Sequence, residues 1–181
     1  MKNSDIEKHV CGESKFIDDI IVPEGTLYAY VFDSTIAHGK ILSIDITEAS
    51  LSVGVKVILT SKDIPGINQV GGIIPDETLF AEDDVQFIGE PIGVVIADSV
   101  EHAKVAAKKI KIAYKELPAI TDPREAFRQN KLIIPPRIFS SGDVDKAWEQ
   151  CAIVVEGKAE TGGQEHLYLE TQGAIAIPEE G

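Results

Sequence analysis

Apolar and polar positions between residues 85 and 118 follow a pattern that predicts a strand, a helix and a second strand. The run Ile92-Gly93-Val94-Val95-Ile96-Ala97 is continuously apolar and rich in β-branched residues, which is typical of a buried strand. Asp98 is the predicted cap of the helix that follows, with Glu101 in the capping-box position. From Ile110 to Tyr114 every second residue is apolar or aromatic, so a further strand is expected there.

Three more strands are predicted ahead of this unit from apolar residues at alternate positions. They cover residues 26–32, 40–47 and 55–59. A short helical turn that ends at Gly54 is expected between the last two strands, and the polar residues 1–10 are expected to be loose. The whole pattern predicts a compact α+β domain in which a helix at residues 99–109 covers a mixed sheet.

Past Pro118 the pattern changes and predicts the beginning of a second domain. The expected elements are a short helix, an extended connector that contains Pro135-Pro136, a helix capped by Asp143 and two strands, at residues 122–129, 130–141, 143–151, 153–159 and 173–177. The last strand leads into a turn at residues 178–181 with nothing after it. This ending is typical of a truncated domain.

The acidic excess of the chain argues against several classes of partner. With 30 acidic and 17 basic residues the formal net charge is −13, which disfavours nucleic acid or an anionic membrane. The first residues lack the apolar run of a signal peptide and no segment has membrane-spanning length, so a cytoplasmic protein is expected. Cys11 and Cys151 form no Cys-x-x-Cys pair, which excludes an iron–sulfur cluster or zinc ribbon within this chain and favours free thiols.

Few residues carry a pattern typical of catalysis or metal binding. His38 and His102 have no partner ligands at metal spacing, and surface positions are expected for both. The acidic triplet at residues 82–84 is predicted to be a solvated turn, while Glu90 suits either a functional acid or a turn before a strand. Only Gly162–His166 is unusual, because two glycines permit close backbone approach and polar side chains follow them. A polar loop explains this segment as well, so both interpretations stay open.

A further interpretation depends on short segments distributed along almost the whole chain. They are Cys11–Asp19, Ala37–Ile41, Gly54-Val55, Lys62–Gly66, Leu79–Ala81, Gly89–Gly93, Gly142–Asp145 and Gly163–Glu170. In order and spacing, over about residues 10 to 178, they resemble the molybdenum-binding subunit of the xanthine dehydrogenase/aldehyde oxidase family. The resemblance implies an α/β-hammerhead domain followed by a truncated β-α-β start of the molybdopterin-binding domain.

The resemblance also implies an oxidoreductase activity for the complete subunit. The family hydroxylates purines, aldehydes or related heterocycles with oxygen from water at a molybdenum–molybdopterin centre, and electrons leave through [2Fe–2S] clusters, usually to FAD. By this resemblance Gln164 lies near molybdenum in the full subunit, with Gly163 beside it in the cofactor-binding segment. The family's glutamate base and most pterin contacts have no counterpart here, so no complete catalytic set, metal ligand or bound cofactor is expected in this chain alone. Glu90 stands where many relatives have Gln, and its role stays open.

The resemblance implies four parts and several partners. The parts are a tail, the hammerhead domain, a connector and the fragment of the cofactor domain, at residues 1–12, 13–120, 121–141 and 142–181. Hammerhead sequence begins almost at Met1, which implies iron–sulfur and FAD-binding subunits or domains as partners, together with the remainder of the molybdenum-binding subunit. Self-association through the incomplete C-terminal segment is a further hypothesis. The competing interpretation is a stand-alone hammerhead interaction or scaffold domain without catalysis, and purine and aldehyde substrates are not distinguished.

Overall fold

The computed structural model describes residues 4–167 and 172–178, which divide into two compact units. The first unit runs from Pro23 to Leu132. The second unit combines the described residues before Pro23 with those from Ile133 onward. Both β-sheets and the buried core belong to the first unit, whereas Gln164 belongs to the second.

The described residues form the strands and helices at the following positions. The strands are β1 (Tyr28–Asp33), β2 (Gly39–Asp45), β3 (Val55–Thr60), β4 (Asp84–Val85), β5 (Pro91–Ala97) and β6 (Lys111–Glu116). The helices are α1 (Ser4–Cys11), α2 (Thr47–Ser50), α3 (Val100–Ala107), α4 (Pro123–Arg128) and α5 (Val144–Glu149). The strands predicted before residue 60 and the strand–helix–strand pattern after residue 85 are therefore confirmed, apart from small differences at their ends. None of these helices is long and apolar enough to cross a membrane.

The strands of the first unit form two three-stranded antiparallel sheets. In one sheet β5 lies between β1 and β3, and in the other β2 lies between β4 and β6. No two of these strands that follow each other in the chain are paired. The predicted mixed sheet is wrong, because both edges of β5 are occupied and leave no place for β6 beside it. After α3 the chain therefore enters the second sheet, where β6 pairs with β2.

The core lies around β5, which has strands at both edges and packs against α3. The buried apolar side chains are contributed mainly by the strands and by α3, and they include Phe32, Ile58, Val85, Ile92, Val95, Ala97, Ala103 and Ala106. Small residues on α3 let its backbone approach the sheet closely, as the sequence predicts. Gly93 marks another close approach, since a Cβ built there would collide with the Leu59 carbonyl oxygen and lie 2.5 Å from the Phe32 ring.

The start of α3 differs from the prediction. Ser99 is the N-cap, and its side-chain oxygen accepts a hydrogen bond from the backbone N–H of His102 at 3.2 Å. Asp98 lies one residue further from the helix and instead contacts the His102 ring, with 2.5 Å between Oδ1 and Nδ1. Asp98 as the helix cap was a wrong prediction, because the helix begins at Val100 and the cap position is the residue directly before it.

The helices of the second unit confirm one prediction and correct another. Residues 1–10 were predicted to be loose, but α1 forms there with Ile6 and Val10 one helical turn apart. An apolar pair at this spacing favours a helix over an irregular tail. Asp143 caps α5 as predicted, because its side chain accepts a 3.0 Å hydrogen bond from the backbone N–H of Lys146.

Residues 150–167 and 172–178, which the structure describes after α5, form no helix or strand. The strands predicted at Ile153–Ala159 and Gly173–Ile177 do not form among the described residues, because a strand needs a hydrogen-bonded neighbour and no described segment pairs with them. Ile153 is 83% exposed and Val155 is 87% exposed. Parts of two other predicted features, the Leu-Tyr-Leu run at 167–169 and the turn at 178–181, lie outside the described residues.

Candidate functional site

The irregular stretch after α5 presents Gln164 on an exposed backbone. Gly162 and Gly163 precede it, and a Cβ added at either glycine would meet no atom within 4 Å. The Gln164 side chain is exposed and makes no hydrogen bond to the part of the chain that the structure describes. Next to it, the Glu165 carboxylate accepts a 2.9 Å hydrogen bond from the backbone N–H of His166. The segment therefore offers a neutral amide donor with open space around its backbone.

The chemistry of this segment fits an oxygen-rich anionic group better than a bare metal ion. A carboxamide donates hydrogen bonds without adding charge, and glycine backbone N–H groups can approach an anion closely. Among the described residues no group of three or more His, Cys, Asp or Glu side chains is arranged to hold a metal ion. The residues here that could donate hydrogen bonds to such a group are Gln164, through its carboxamide, and Gly163, through its backbone N–H.

Both histidines that the sequence placed at the surface make local structural contacts. His38 is partly exposed, and its Nδ1 lies 2.9 Å from the carbonyl oxygen of Pro118. Because a carbonyl oxygen only accepts, Nδ1 of His38 carries the proton. The hydrogen bond from the His102 ring is the main cause that holds the pKa of Asp98 below its ordinary value. Neither histidine belongs to a metal-binding group among the described residues.

Carboxylates that stand apart in the sequence come together in a cavity of the first unit. We name this cavity of about 540 Å³ the acidic cleft. It is lined by six carboxylates, by four apolar residues and by two uncharged polar residues, which are Asp76, Glu77, Glu82, Asp83, Asp84, Glu90, Val70, Ala81, Phe87, Pro91, Thr78 and Gln86. The sequence indicated a solvated turn at residues 82–84 and left Glu90 open, and the fold brings both to one surface. Spacing along the chain could not show this, because the loop between β3 and β4 has no periodic pattern.

Two side chains hold the loops of the acidic cleft in place. The Asn68 carboxamide accepts hydrogen bonds from the backbone N–H groups of Leu79 at 3.0 Å and Phe80 at 3.1 Å. It also donates to the Phe80 carbonyl at 2.7 Å and to Glu82 Oε1 at 2.8 Å. The Glu90 carboxylate accepts a 2.5 Å hydrogen bond from the backbone N–H of Gln86, which supports the interpretation of Glu90 as a turn residue. Sequence analysis missed Asn68, because a single loop asparagine does not reveal its partners.

Comparison with known proteins gives two matches to family models. Residues 11–118 match the family described as aldehyde oxidase and xanthine dehydrogenase, a/b hammerhead domain. Residues 127–181 match the molybdopterin cofactor-binding domain. The first match covers both sheets and α3, and the second covers the segment that contains Gln164.

Full-length relatives and a solved structure agree with these matches. The xanthine dehydrogenase/oxidase of Gallus gallus is 46% identical over 171 residues, which are 94% of this chain and 12% of that protein. Aldehyde oxidase 3 of Mus musculus is 39% identical over 172 residues, which are 94% of this chain and 13% of that protein. The aldehyde oxidoreductase structure from Desulfovibrio gigas has a TM-score of 0.62 at 31% identity, over 66% of this chain and 14% of that chain. The chain therefore spans about one eighth of the length of these curated relatives.

Proposed function

The chain belongs to the aldehyde oxidase and xanthine dehydrogenase family, and from that premise we propose that it forms the N-terminal part of the molybdenum-binding portion of a molybdenum hydroxylase. The family resemblance and the α+β hammerhead fold that the sequence predicts are confirmed. The proposed parts are a tail, the hammerhead, a connector and the start of the molybdopterin-binding domain, at residues 1–12, 13–120, 121–141 and 142–181.

The observation that carries this proposal is the open glycine segment before Gln164, which lies inside the stretch that matches the molybdopterin-binding domain. Ile153 and Val155, which precede it, expose apolar side chains that an isolated domain would bury. Their exposure is what we expect of strands whose sheet partners are contributed by the rest of a larger domain. The first unit, in contrast, has a core of its own.

In the proposed enzyme, molybdenum–molybdopterin supplies the redox chemistry that transfers oxygen from water to a carbon of a purine, an aldehyde or a related heterocycle. Gln164 donates a hydrogen bond from its carboxamide toward the cofactor, and Gly163 keeps the approaching backbone free of a side chain. A neutral, oriented donor stabilises partial negative charge in a water-poor site without adding net charge. The remaining cofactor contacts and the base come from residues outside this chain.

The proposed partners follow from the same premise. The remainder of the molybdenum-binding subunit supplies strand partners for the segments at residues 153–159 and 173–177 and completes the cofactor site. Iron–sulfur and FAD-binding subunits or domains accept the electrons. A second copy of the chain is a further proposed partner, because the irregular residues after α5 expose apolar side chains that can pair between copies. Such an enzyme would work in the cytoplasm.

The isolated chain is expected to bind no molybdenum or flavin and to turn over neither purines nor aldehydes. The physical reason is that the segment around Gln164 would supply only one side of the proposed cofactor site. The described residues also contain no group of His, Cys, Asp or Glu side chains arranged to hold a metal ion. Elemental analysis of the purified chain, with xanthine and aldehyde turnover measured in parallel, checks this expectation. Near-stoichiometric molybdenum in the isolated chain would contradict the proposal.

Replacement of Gln164 by Ala in the complete subunit tests the proposed role of the carboxamide. We expect turnover to fall by roughly tenfold to a hundredfold, the usual effect of losing a hydrogen-bond partner around a metal centre. Molybdenum content and the melting temperature are measured with the kinetics, because Gln164 is exposed in the isolated chain and its loss should leave folding unchanged. Gln150→Ala is the matched control, since this exposed glutamine is the C-cap residue directly after α5 in the same unit. Unchanged turnover of Gln164→Ala at full molybdenum occupancy would leave Gln164 as an ordinary loop residue.

A further inference from the structure

The apolar side chains that line the acidic cleft, which we call its floor, include two that are more than half exposed. Val70 is 56% exposed and Phe87 is 55% exposed, and both line the cleft together with Ala81 and Pro91. Ile88, the neighbour of Phe87, is 68% exposed. Exposed apolar side chains that gather in one concavity with a polar rim mark interaction sites on soluble proteins. The floor of the cleft therefore has the character of a docking surface.

The six carboxylates form the rim of the acidic cleft, and Lys40 of β2 lies opposite one of them, Asp84, in the pair of β2 with β4. None of the six carboxylates forms an ion pair with Lys or Arg within the described residues. No Lys or Arg occurs between Lys62 and Lys104, a stretch that contains the whole lining of the cleft. Carboxylates that face one surface give it a negative potential, which attracts a cationic group. The rim thus favours a positively charged partner.

The backbone around the acidic cleft is fixed before any partner arrives. Asn68 joins two parts of the loop through four hydrogen bonds. The buried Ser34 connects the turn before β5 to the strand β1, because its backbone N–H donates to the Glu90 carbonyl and its carbonyl accepts from Gly89. The backbone N–H of Ala81 donates to the Pro91 carbonyl at 2.8 Å. A surface that is already ordered loses little conformational entropy on binding.

We propose that the acidic cleft docks a basic segment of another polypeptide chain. Lys or Arg side chains of that segment pair with the carboxylate rim, and one apolar side chain packs against Phe87 and Val70. A small cation alone would leave the apolar floor exposed, and no group of side chains among the described residues is arranged to hold a metal ion. Nucleic acid is excluded by the sign of the charge.

The test measures the binding of three synthetic peptides to the chain by fluorescence anisotropy. One peptide alternates Arg and Leu, the second alternates Arg and Gly, and the third alternates Glu and Leu. The cleft variant carries Asp76→Asn, Glu77→Gln and Asp83→Asn, three rim carboxylates whose side chains make no hydrogen bond to the described residues. The matched control carries Glu24→Gln, Glu101→Gln and Glu116→Gln, which changes the net charge equally at exposed sites of the same unit outside the cleft.

We expect the Arg–Leu peptide to bind the unchanged chain with one-to-one stoichiometry. Its affinity for the cleft variant should be about tenfold lower. This value assumes that each exposed ion pair contributes a factor of roughly 1.5 to 5 in affinity. The matched control should weaken binding less than about twofold at moderate salt, because charges away from the site are screened. Phe87→Ser should also reduce the affinity for the Arg–Leu peptide. Because Phe87 is only 55% exposed, circular dichroism at the temperature of the binding assay checks that this variant is still folded.

Four results would overturn the proposal. If the affinity for the Arg–Leu peptide falls equally in the cleft variant and in the matched control, the peptide is attracted non-specifically to an acidic protein. If the Arg–Gly peptide binds as tightly as the Arg–Leu peptide, the proposed apolar contact is wrong. If the Glu–Leu peptide binds as tightly as the Arg–Leu peptide, the proposed selection by charge is wrong. Sedimentation that shows dimers dissociating when the peptide is added would assign the cleft to a second copy of this chain instead.

Discussion

Replacement of Gly93 by Ala should destabilise the first unit by about 2 kcal/mol. The added Cβ collides with the Leu59 carbonyl oxygen, which is held in the ladder between β3 and β5, and lies 2.5 Å from the ring of the buried Phe32. Extra carbon in a close-packed interior costs about 1–3 kcal/mol, and the upper value applies here because backbone has to move. Alanine recovers about 0.5–1 kcal/mol of the backbone entropy that glycine loses in a strand.

Thermal unfolding monitored by far-ultraviolet circular dichroism measures this effect, because all the described strands belong to the first unit. A loss of about 2 kcal/mol in a unit of about 110 residues should lower the melting temperature by roughly 8–16 °C. Fluorescence of the single tryptophan, Trp148, reports on the second unit and should be unaffected by the substitution itself.

Gly66→Ala is the control for this prediction. A Cβ added at Gly66 meets no atom within 4 Å, so we expect no loss of stability or a gain of about 0.4–1 kcal/mol. If Gly93→Ala melts within about 2 °C of the unchanged chain, or if Gly66→Ala loses as much stability, the packing argument around β5 is wrong.

Two further predictions concern polar groups of the first unit. The Tyr114 hydroxyl is buried and has no hydrogen-bond partner of normal geometry among the described residues. Burial is the main cause of the raised pKa of Tyr114, and the nearby polar groups of Ser34 and Thr35 offset part of that rise. Tyr114→Phe should therefore stabilise the unit by up to about 1 kcal/mol, measured as a higher urea midpoint, and a lower midpoint would refute the assignment. The pKa of Asp98 is held below its ordinary value of 3.8 by the His102 ring, so the stability that this carboxylate adds is present above about pH 4 and is lost as the pH falls through its folded-state pKa. Urea unfolding of the unchanged chain and of Asp98→Asn, measured from neutral pH to about pH 3, gives the difference in their free energies of unfolding. This difference should become smaller as the pH falls, and a constant difference would contradict the pairing of Asp98 with His102.

The sequence reveals the elements of the first unit better than their arrangement. Alternation and β-branched runs predicted β1, β2, β3, β5 and β6, because side-chain burial on one face leaves a period of two in the sequence. Which strand pairs with which is decided by the closure of long loops, and that leaves no local pattern. The mixed sheet was predicted wrongly for this reason. The cap of α3 was predicted wrongly for a local reason, because the helix begins one residue later than expected and Ser99 takes the cap position in place of Asp98.

The candidate site was only partly accessible to sequence reasoning. Gln164 and Gly163 were noticed because paired glycines before polar residues are locally unusual, and their proposed role depends on the family rather than on any contact within the chain. The acidic cleft was not predicted, because Glu90 comes to line the same cleft as Asp76 and Glu82 only when the chain is folded. Asn68, whose four hydrogen bonds organise that loop, has no sequence signal apart from its position between turn residues.

The pairing of strands that are distant in sequence has a consequence for how the first unit folds. Gly39 of β2 meets Glu116 of β6, and Tyr28 of β1 meets Ala97 of β5, so neither sheet contains a hairpin that could form early and alone. Each ladder must close a long loop before its hydrogen bonds stabilise it, and folding dominated by such contacts is slow. On the ribosome, β2 cannot pair with β6, the longer of its two partner strands, until β6 has left the exit tunnel. Until then the apolar faces of the earlier strands are exposed, and a chaperone that shields them during synthesis would reduce aggregation.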